Sequence, residues 1–196
     1  LSHASPNLDE VAAALKRVNR DASLAGEVIS RIRGFLRAGE IRREPVDLAR
    51  MLDELLQMLQ TVLSEAGVQV SVALPRPQPR LIADPVQLQQ VILNLLKNGS
   101  DAQKDNTCAL DVLVDLHETP YRVSVRDHGP EITPETLARL FEPFFTTKPD
   151  GLGLGLSICT TLIEAHGGHL TAAPNTPAPG LCLTFTLPPH DHHSSD

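Results

Sequence analysis

LFEPFFTTKPDGLGLGLSI, residues 140–158, is the stretch from which the rest of the chain can be read. Gly151, Gly153 and Gly155 alternate with leucines and run straight into a helical pattern. Glycine lets a backbone approach an anion closely, and the free amides of a helix N-terminus hold phosphate. The stretch is not the phosphate loop GxxxxGK[ST], because no Lys-Ser or Lys-Thr closes it. It is not a dinucleotide fingerprint either, because no strand directly precedes it. A glycine-rich run alone fits many loops, so its neighbours decide.

Upstream, YRVSVRD (121–127) places Tyr121, Val123, Val125 and Asp127 on one side by period two. A carboxylate that ends an apolar row needs a donor partner, and an adenine exocyclic amine is one such donor. Taken alone, a strand-end aspartate that opens the turn DHGP, a role aspartate fills often, is the stronger reading. Further upstream, the helix DPVQLQQVILNLLKNGSDAQ (84–103) carries Leu88, Val91, Ile92 and Leu95 as its core stripe. Asn94, Asn98 and Asp101, at i, i+4 and i+7, stack on another face. Asparagine is a mediocre helix former. A pair of them here suits amide oxygens that complete the shell of a phosphate-bound Mg²⁺, or else a solvated face.

Outside these motifs, Val11, Leu15, Val18, Ala22, Ala25, Ile29, Ile32 and Leu36 repeat at spacings of four and three. That heptad stripe predicts a long helix, from about Asn7 to Gly39, with a seam for partner helices. A second helix is expected after Pro45, with Leu48, Leu52, Leu55, Leu59 and Val62 on one face. Strands are expected at 68–74, 80–83, 109–117, 121–126, 169–173 and 181–187. A short helix (134–140) lies in the long loop, and another helix runs to His166. Mixed strands and helices without strict βαβ alternation predict α+β, with helices on one face of a mixed sheet.

Of 196 residues, 41% are hydrophobic but only 3% aromatic, so the core must be aliphatic. A net charge of −7 offers no basic footprint for nucleic acid or an anionic membrane. Three cysteines without CxxC fit reduced thiols. No run approaches the ~20 apolar residues of a membrane span, and no signal peptide is legible. A cytoplasmic location and no direct membrane contact are therefore expected, although a longer protein could carry an anchor.

In order and spacing the motifs together resemble the sensor histidine kinase catalytic domain of the gyrase/Hsp90/histidine kinase/MutL superfamily. Asn94 to Asn98 looks like its N box, DHGPEI its first glycine box, LFEPFFTTK its F box and GLGLGLSI its second glycine box. HGGHL and LTFTLP match its final strands, and RIRGFLRAGE looks like the end of the second helix of the dimerisation region. The subgroup with oxygen-sensing kinases of the rhizobial type is especially similar.

The resemblance implies a Bergerat-type two-layer α/β sandwich over 44–189, a partial dimerisation region over 1–43 and a disordered tail over 190–196. It implies ATP and Mg²⁺ as cofactors, transfer of the γ-phosphoryl group to a histidine, a homodimer through the N-terminal helix, and a response regulator receiver domain as partner. Asn98 would coordinate Mg²⁺, with Asn94 beside the phosphates. Asp127 would accept from the adenine amine, and Gly129 would leave room for the base. Phe141, Phe144 and Phe145 would anchor a lid. Lys148 would reach the phosphates and Gly151, Gly153 and Gly155 would cradle them, with Asp101, Thr147, Leu154 and Leu156 in the same site.

Three departures stand out. Glu131 replaces the second glycine of DxGxG, adding a negative charge near the nucleotide. Cys182 stands where the family often has a threonine that assists adenine recognition. Around His3 there is no phosphoacceptor motif, so the acceptor is expected on an upstream helix and the chain is expected to be an excised piece. These departures also admit a non-catalytic dimerising scaffold. The heptad seam predicts that a protein extended upstream to include the preceding helix sediments as a dimer; a monomer at high concentration contradicts the seam.

Overall fold

The computed structural model describes residues 41–75, 81–102, 108–115, 120–148, 151–177 and 179–189, together with 11, 14, 15 and 18. The expected N-terminal helix and polar tail thus lie almost wholly outside the described residues. Val11, Ala14, Leu15 and Val18 are helical and exposed.

In chain order the elements are β1 (Glu44–Val46), α1 (Leu48–Glu65), β2 (Val68–Ala73), β3 (Leu81–Ala83), α2 (Pro85–Ala102), β4 (Cys108–Asp115), β5 (Tyr121–Asp127), α3 (Pro134–Arg139), α4 (Gly155–Ala165), β6 (Leu170–Pro174) and β7 (Leu181–Leu187). Five strands form one sheet in the order β2-β4-β5-β7-β6. β2 runs parallel to β4, which requires the crossover through α2, and the remaining pairs are antiparallel. The sheet is mixed, as expected.

Period-two alternation turns Val123, Val125 and Asp127 of β5, and Leu181, Leu183, Phe185 and Leu187 of β7, into the core. On β7, Thr184 faces the other way and shares a 2.8 Å hydroxyl hydrogen bond with Ser124 of β5. α2 packs against β4, β5 and α4, and α4 packs against β6 and β7. Leu88, Ile92, Leu95 and Leu96 of α2 meet Leu162 and Ile163 of α4 in one aliphatic core. Each such fully buried side chain contributes roughly 1.5–3 kcal/mol of transfer free energy.

Two expectations need correction. α1 buries Leu48, Leu52, Leu55 and Leu63, whereas Val62 is exposed. The helical rotation carries Leu63, not Val62, onto the sheet side at its last turn. β1 was not anticipated; it pairs antiparallel with β3 as a separate two-stranded sheet, Val46 opposite Leu81.

That small sheet leads into the start of α2 through Asp84. The Asp84 carboxylate accepts from the N–H groups of Val86 and Gln87 with Oδ1, and from the N–H of Arg42 with Oδ2, all at 3.0–3.1 Å. Its own N–H donates to Nε2 of buried His166 at 2.9 Å. Because Nε2 accepts, the proton sits on Nδ1, which donates to the Leu162 carbonyl at 2.7 Å. Asp84 therefore caps α2 and ties it to the end of α4. Asp84→Ala should lower unfolding free energy by about 2 kcal/mol in urea denaturation; a loss under ~0.5 kcal/mol would show that the cap is not needed.

Candidate functional site

The site has two ends joined by α2. At one end Asp127 closes β5, only 4% exposed. Its Oδ1 accepts from the N–H of Gly129 at 3.0 Å and of Leu181 at 3.1 Å. Burial raises its pKa above the usual carboxylate value, while the two amide donors, then His128 and Lys148, pull the other way. Burial wins. His128 itself turns outward, its Nε2 3.0 Å from Asp111 Oδ2 on the rim.

Close approach explains the small residues here. A Cβ on Gly99 of α2 would lie 2.5 Å from Leu110 Cδ2 and 3.5 Å from the Cβ of Asp127. One on Gly129 would lie 3.0 Å from the Ala102 carbonyl oxygen. The Asn98-Gly99 pair is thus the place where the helix presses onto the sheet beneath the carboxylate.

At the other end is a pocket of about 300 Å³. Asn94, Asn98 and Asp101 line it from α2, Thr147, Lys148, Gly151 and Gly153 from the long loop, and Gly155 and Leu156 from the start of α4. Lys148 Nζ donates to Asn98 Oδ1 at 3.1 Å and to Asp101 Oδ2 at 3.0 Å. Asn94 Nδ2 donates to Cys159 Sγ at 3.6 Å, which fastens α2 to α4. Among the candidates, Asp127, Gly129, Phe141 and Leu154 do not line this pocket. Phe141 and Leu154 pack against the hydrophobic core instead.

The three glycines differ. A side chain on Gly151 would strike Thr146 Oγ1. Gly153, at φ +65°, lies against the backbone of Phe144 and Phe145, and its carbonyl accepts from the Phe144 N–H at 2.9 Å. Gly155 alone of the three faces open space, at the N-terminus of α4, whose cap residue Leu154 offers no side-chain acceptor. The first turn of α4 therefore presents amides to the pocket.

Three readings change. Phe144 does not anchor the loop: it is 75% exposed and adopts φ 67° as the chain doubles back. Phe145 lines the pocket beneath the Arg139 guanidinium, 4.4 Å from its ring centre. Cys182 does not face Asp127, because strand alternation turns it to the side of Thr184, 3.6 Å away; the residue whose N–H reaches the carboxylate is Leu181. Glu131 is exposed and, like Asp127 and Gly129, lies outside the lining of that pocket, which leaves its expected place near the base unaltered. Missed altogether was Asn175, whose Nδ2 donates to the Asp127 carbonyl at 2.9 Å. Only its place in a Pro- and Gly-rich turn hinted at it.

A buried acceptor beside a polar pocket roofed by a glycine-rich loop and a helix N-terminus defines a nucleotide-binding α+β domain. Residues 83–191 match the family described as histidine kinase-, DNA gyrase B- and HSP90-like ATPases, and the chain belongs to that family. It is 34% identical over 197 residues to the sensor protein FixL of Bradyrhizobium diazoefficiens, covering 96% of this chain and 37% of that protein. Against the sensor histidine kinase TmoS of Ectopseudomonas mendocina it is 32% identical over 188 residues, 93% of this chain and 19% of that one. The crystal structure of full-length ShkA in complex with AMPPNP superposes with a TM-score of 0.77 at 27% identity, covering 95% of this chain and 40% of ShkA. The chain thus spans well under half the length of these relatives.

Asp127→Asn keeps an Oδ1 acceptor for the two amides but removes the buried charge. Because the folded-state pKa is raised, ionised Asp127 penalises folding at neutral pH; the penalty shrinks as pH falls through the folded-state pKa and is gone below the unfolded-state value. Asp127→Asn should therefore melt no lower than the unmodified chain at neutral pH, with the difference shrinking as acid protonates Asp127. A large loss of melting temperature at neutral pH would contradict this.

Proposed function

We propose that residues 44–189 are the ATP-binding catalytic module of a two-component sensor histidine kinase, which transfers the γ-phosphoryl group to a histidine not assigned within this chain. One observation carries the reading: α2 runs between the buried carboxylate that ends β5 and a cation-holding oxygen pair of its own, Asn98 and Asp101. Asp127 accepts from the adenine amine and Gly129 leaves room for the ring. Gly155 and Leu156 supply α4 amides to the phosphates, and Gly151, Gly153, Leu154 and Thr147 shape the loop above them, with Phe141 as its root.

The donor set suits Mg²⁺. Asn98 Oδ1 and Asp101 Oδ2 are hard oxygens that hold an ammonium between them, and a divalent cation completed by phosphates and water needs few protein ligands. Asn98 would hold the ion, with Asn94 beside it. Mg²⁺ would neutralise charge on the transferring phosphoryl group. Lys148, which now holds the α2 oxygens, would turn to the phosphates once a cation takes its place there. The protein's contribution is positioning and charge neutralisation. A second copy through the N-terminal helix and a receiver domain are the partners this reading names. No helix among the described residues is long and apolar enough to cross a membrane.

In the full-length natural protein, γ-labelled ATP should give an acid-labile, base-stable phosphoprotein. Asn98→Ala should cut the labelling rate on the order of 100-fold. Acid-stable label, or label indifferent to Asn98→Ala, would overturn the reading.

A further inference from the structure

We propose that Asn175 is a positioning residue that sets the carboxylate of Asp127 for adenine, and hence sets nucleobase selectivity. This rests on the nucleotide reading above. The β5–β7 ladder ends at Arg126 opposite Cys182. Leu181, the next residue on β7, gives its N–H to the side-chain oxygen of Asp127, not to its main-chain carbonyl. The carbonyl is instead bound by the side chain of Asn175, 2.9 Å from Nδ2 to oxygen.

Asn175 is itself held fast. It is 8% exposed, and its N–H donates to the Gly180 carbonyl at 2.9 Å, closing the turn between β6 and β7. Gly180 has φ +121°, and a Cβ there would press on the Asp127 carbonyl and lie 2.9 Å from Oδ1. The turn therefore packs directly on the main chain of Asp127.

The geometry has a specific consequence. Anchoring the Asp127 carbonyl fixes the peptide plane between Asp127 and His128. The N–H two residues on, that of Gly129, then returns to Oδ1 at 3.0 Å. Both donors on Oδ1 thus depend on the same clamped strand end. Among the described residues no hydrogen bond is made to Oδ2, which leaves that oxygen for a ligand amine. Neither Asn175 nor Gly180 lines the pocket, so Asn175 acts through Asp127 and on the base, not the phosphates.

The test is calorimetric titration of the 196-residue chain, unmodified and Asn175→Ala, with Mg-ATP and with Mg-inosine triphosphate, which carries a carbonyl oxygen in place of the amine. Melting curves accompany each titration. The unmodified chain should prefer ATP. Asn175→Ala should weaken ATP by about 10-fold, the scale of one hydrogen bond, while inosine triphosphate changes less than about two-fold. Equal weakening of both nucleotides, or of neither, overturns the role of Asn175 and leaves the site standing. Absence of any preference in the unmodified chain overturns the adenine reading and this inference with it. If Asn175→Ala does not fold, Asn175→Ser, with a hydroxyl donor at shorter reach, is judged by the same ratio.

Discussion

A carboxylate withdrawn from water at the end of β5 constrains everything around it. Desolvating an ion costs several kcal/mol even after relaxation. The two main-chain donors on Oδ1 return roughly 1.5–3 kcal/mol each, as hydrogen bonds to a charged group do. Burial outweighs these donors, so the Asp127 pKa stands above the usual carboxylate value and a shortfall remains. A ligand that brings another donor removes the shortfall. The surrounding glycines fit the same demand: a side chain on Gly180 would collide with the Asp127 carbonyl, while Gly129 and Gly99 sit tightly against Ala102 and the Leu110 side chain.

The pocket depends on the same helix. α2 is capped and located by Asp84, tied to α4 through His166 and again through Asn94 and Cys159. Its outward oxygens, on Asn98 and Asp101, meet the loop through Lys148. Within the loop Phe141 reaches the core while Phe144 stands in solvent. A helix that joins the carboxylate end of the site to the pocket under the glycine-rich loop suits a ligand that is long and polar.

Much of this was legible because it obeys periodicity. The stripe of α2, the alternation of β5 that makes Asp127 end an apolar row, and the glycine run before α4 are all one-dimensional patterns. β1 is three residues long and has no period to detect, whereas the equally short β3 was expected from its place before the helix at Pro85. The displacement of Cys182 by Leu181 could have been read from LCLTFTL, where leucines and Phe185 share one side. The motif resemblance directed attention to the wrong neighbour. Phe144 was misjudged because an aromatic in a motif suggests burial, while its backbone turn places it outside. Asn175 was beyond sequence logic, because its partner is a main-chain carbonyl 48 residues away whose ladder donor is diverted elsewhere.

The proposed adenine nucleotide spans from Asp127 to the start of α4, with a cation on Asn98. Calorimetric titration of the 196-residue chain with a non-hydrolysable ATP analogue, with and without Mg²⁺, tests this most directly. Saturable binding at one site per chain, roughly micromolar and strengthened by Mg²⁺, is the predicted result. A folded chain that binds no nucleotide, or binds it equally well without the metal, would contradict the account.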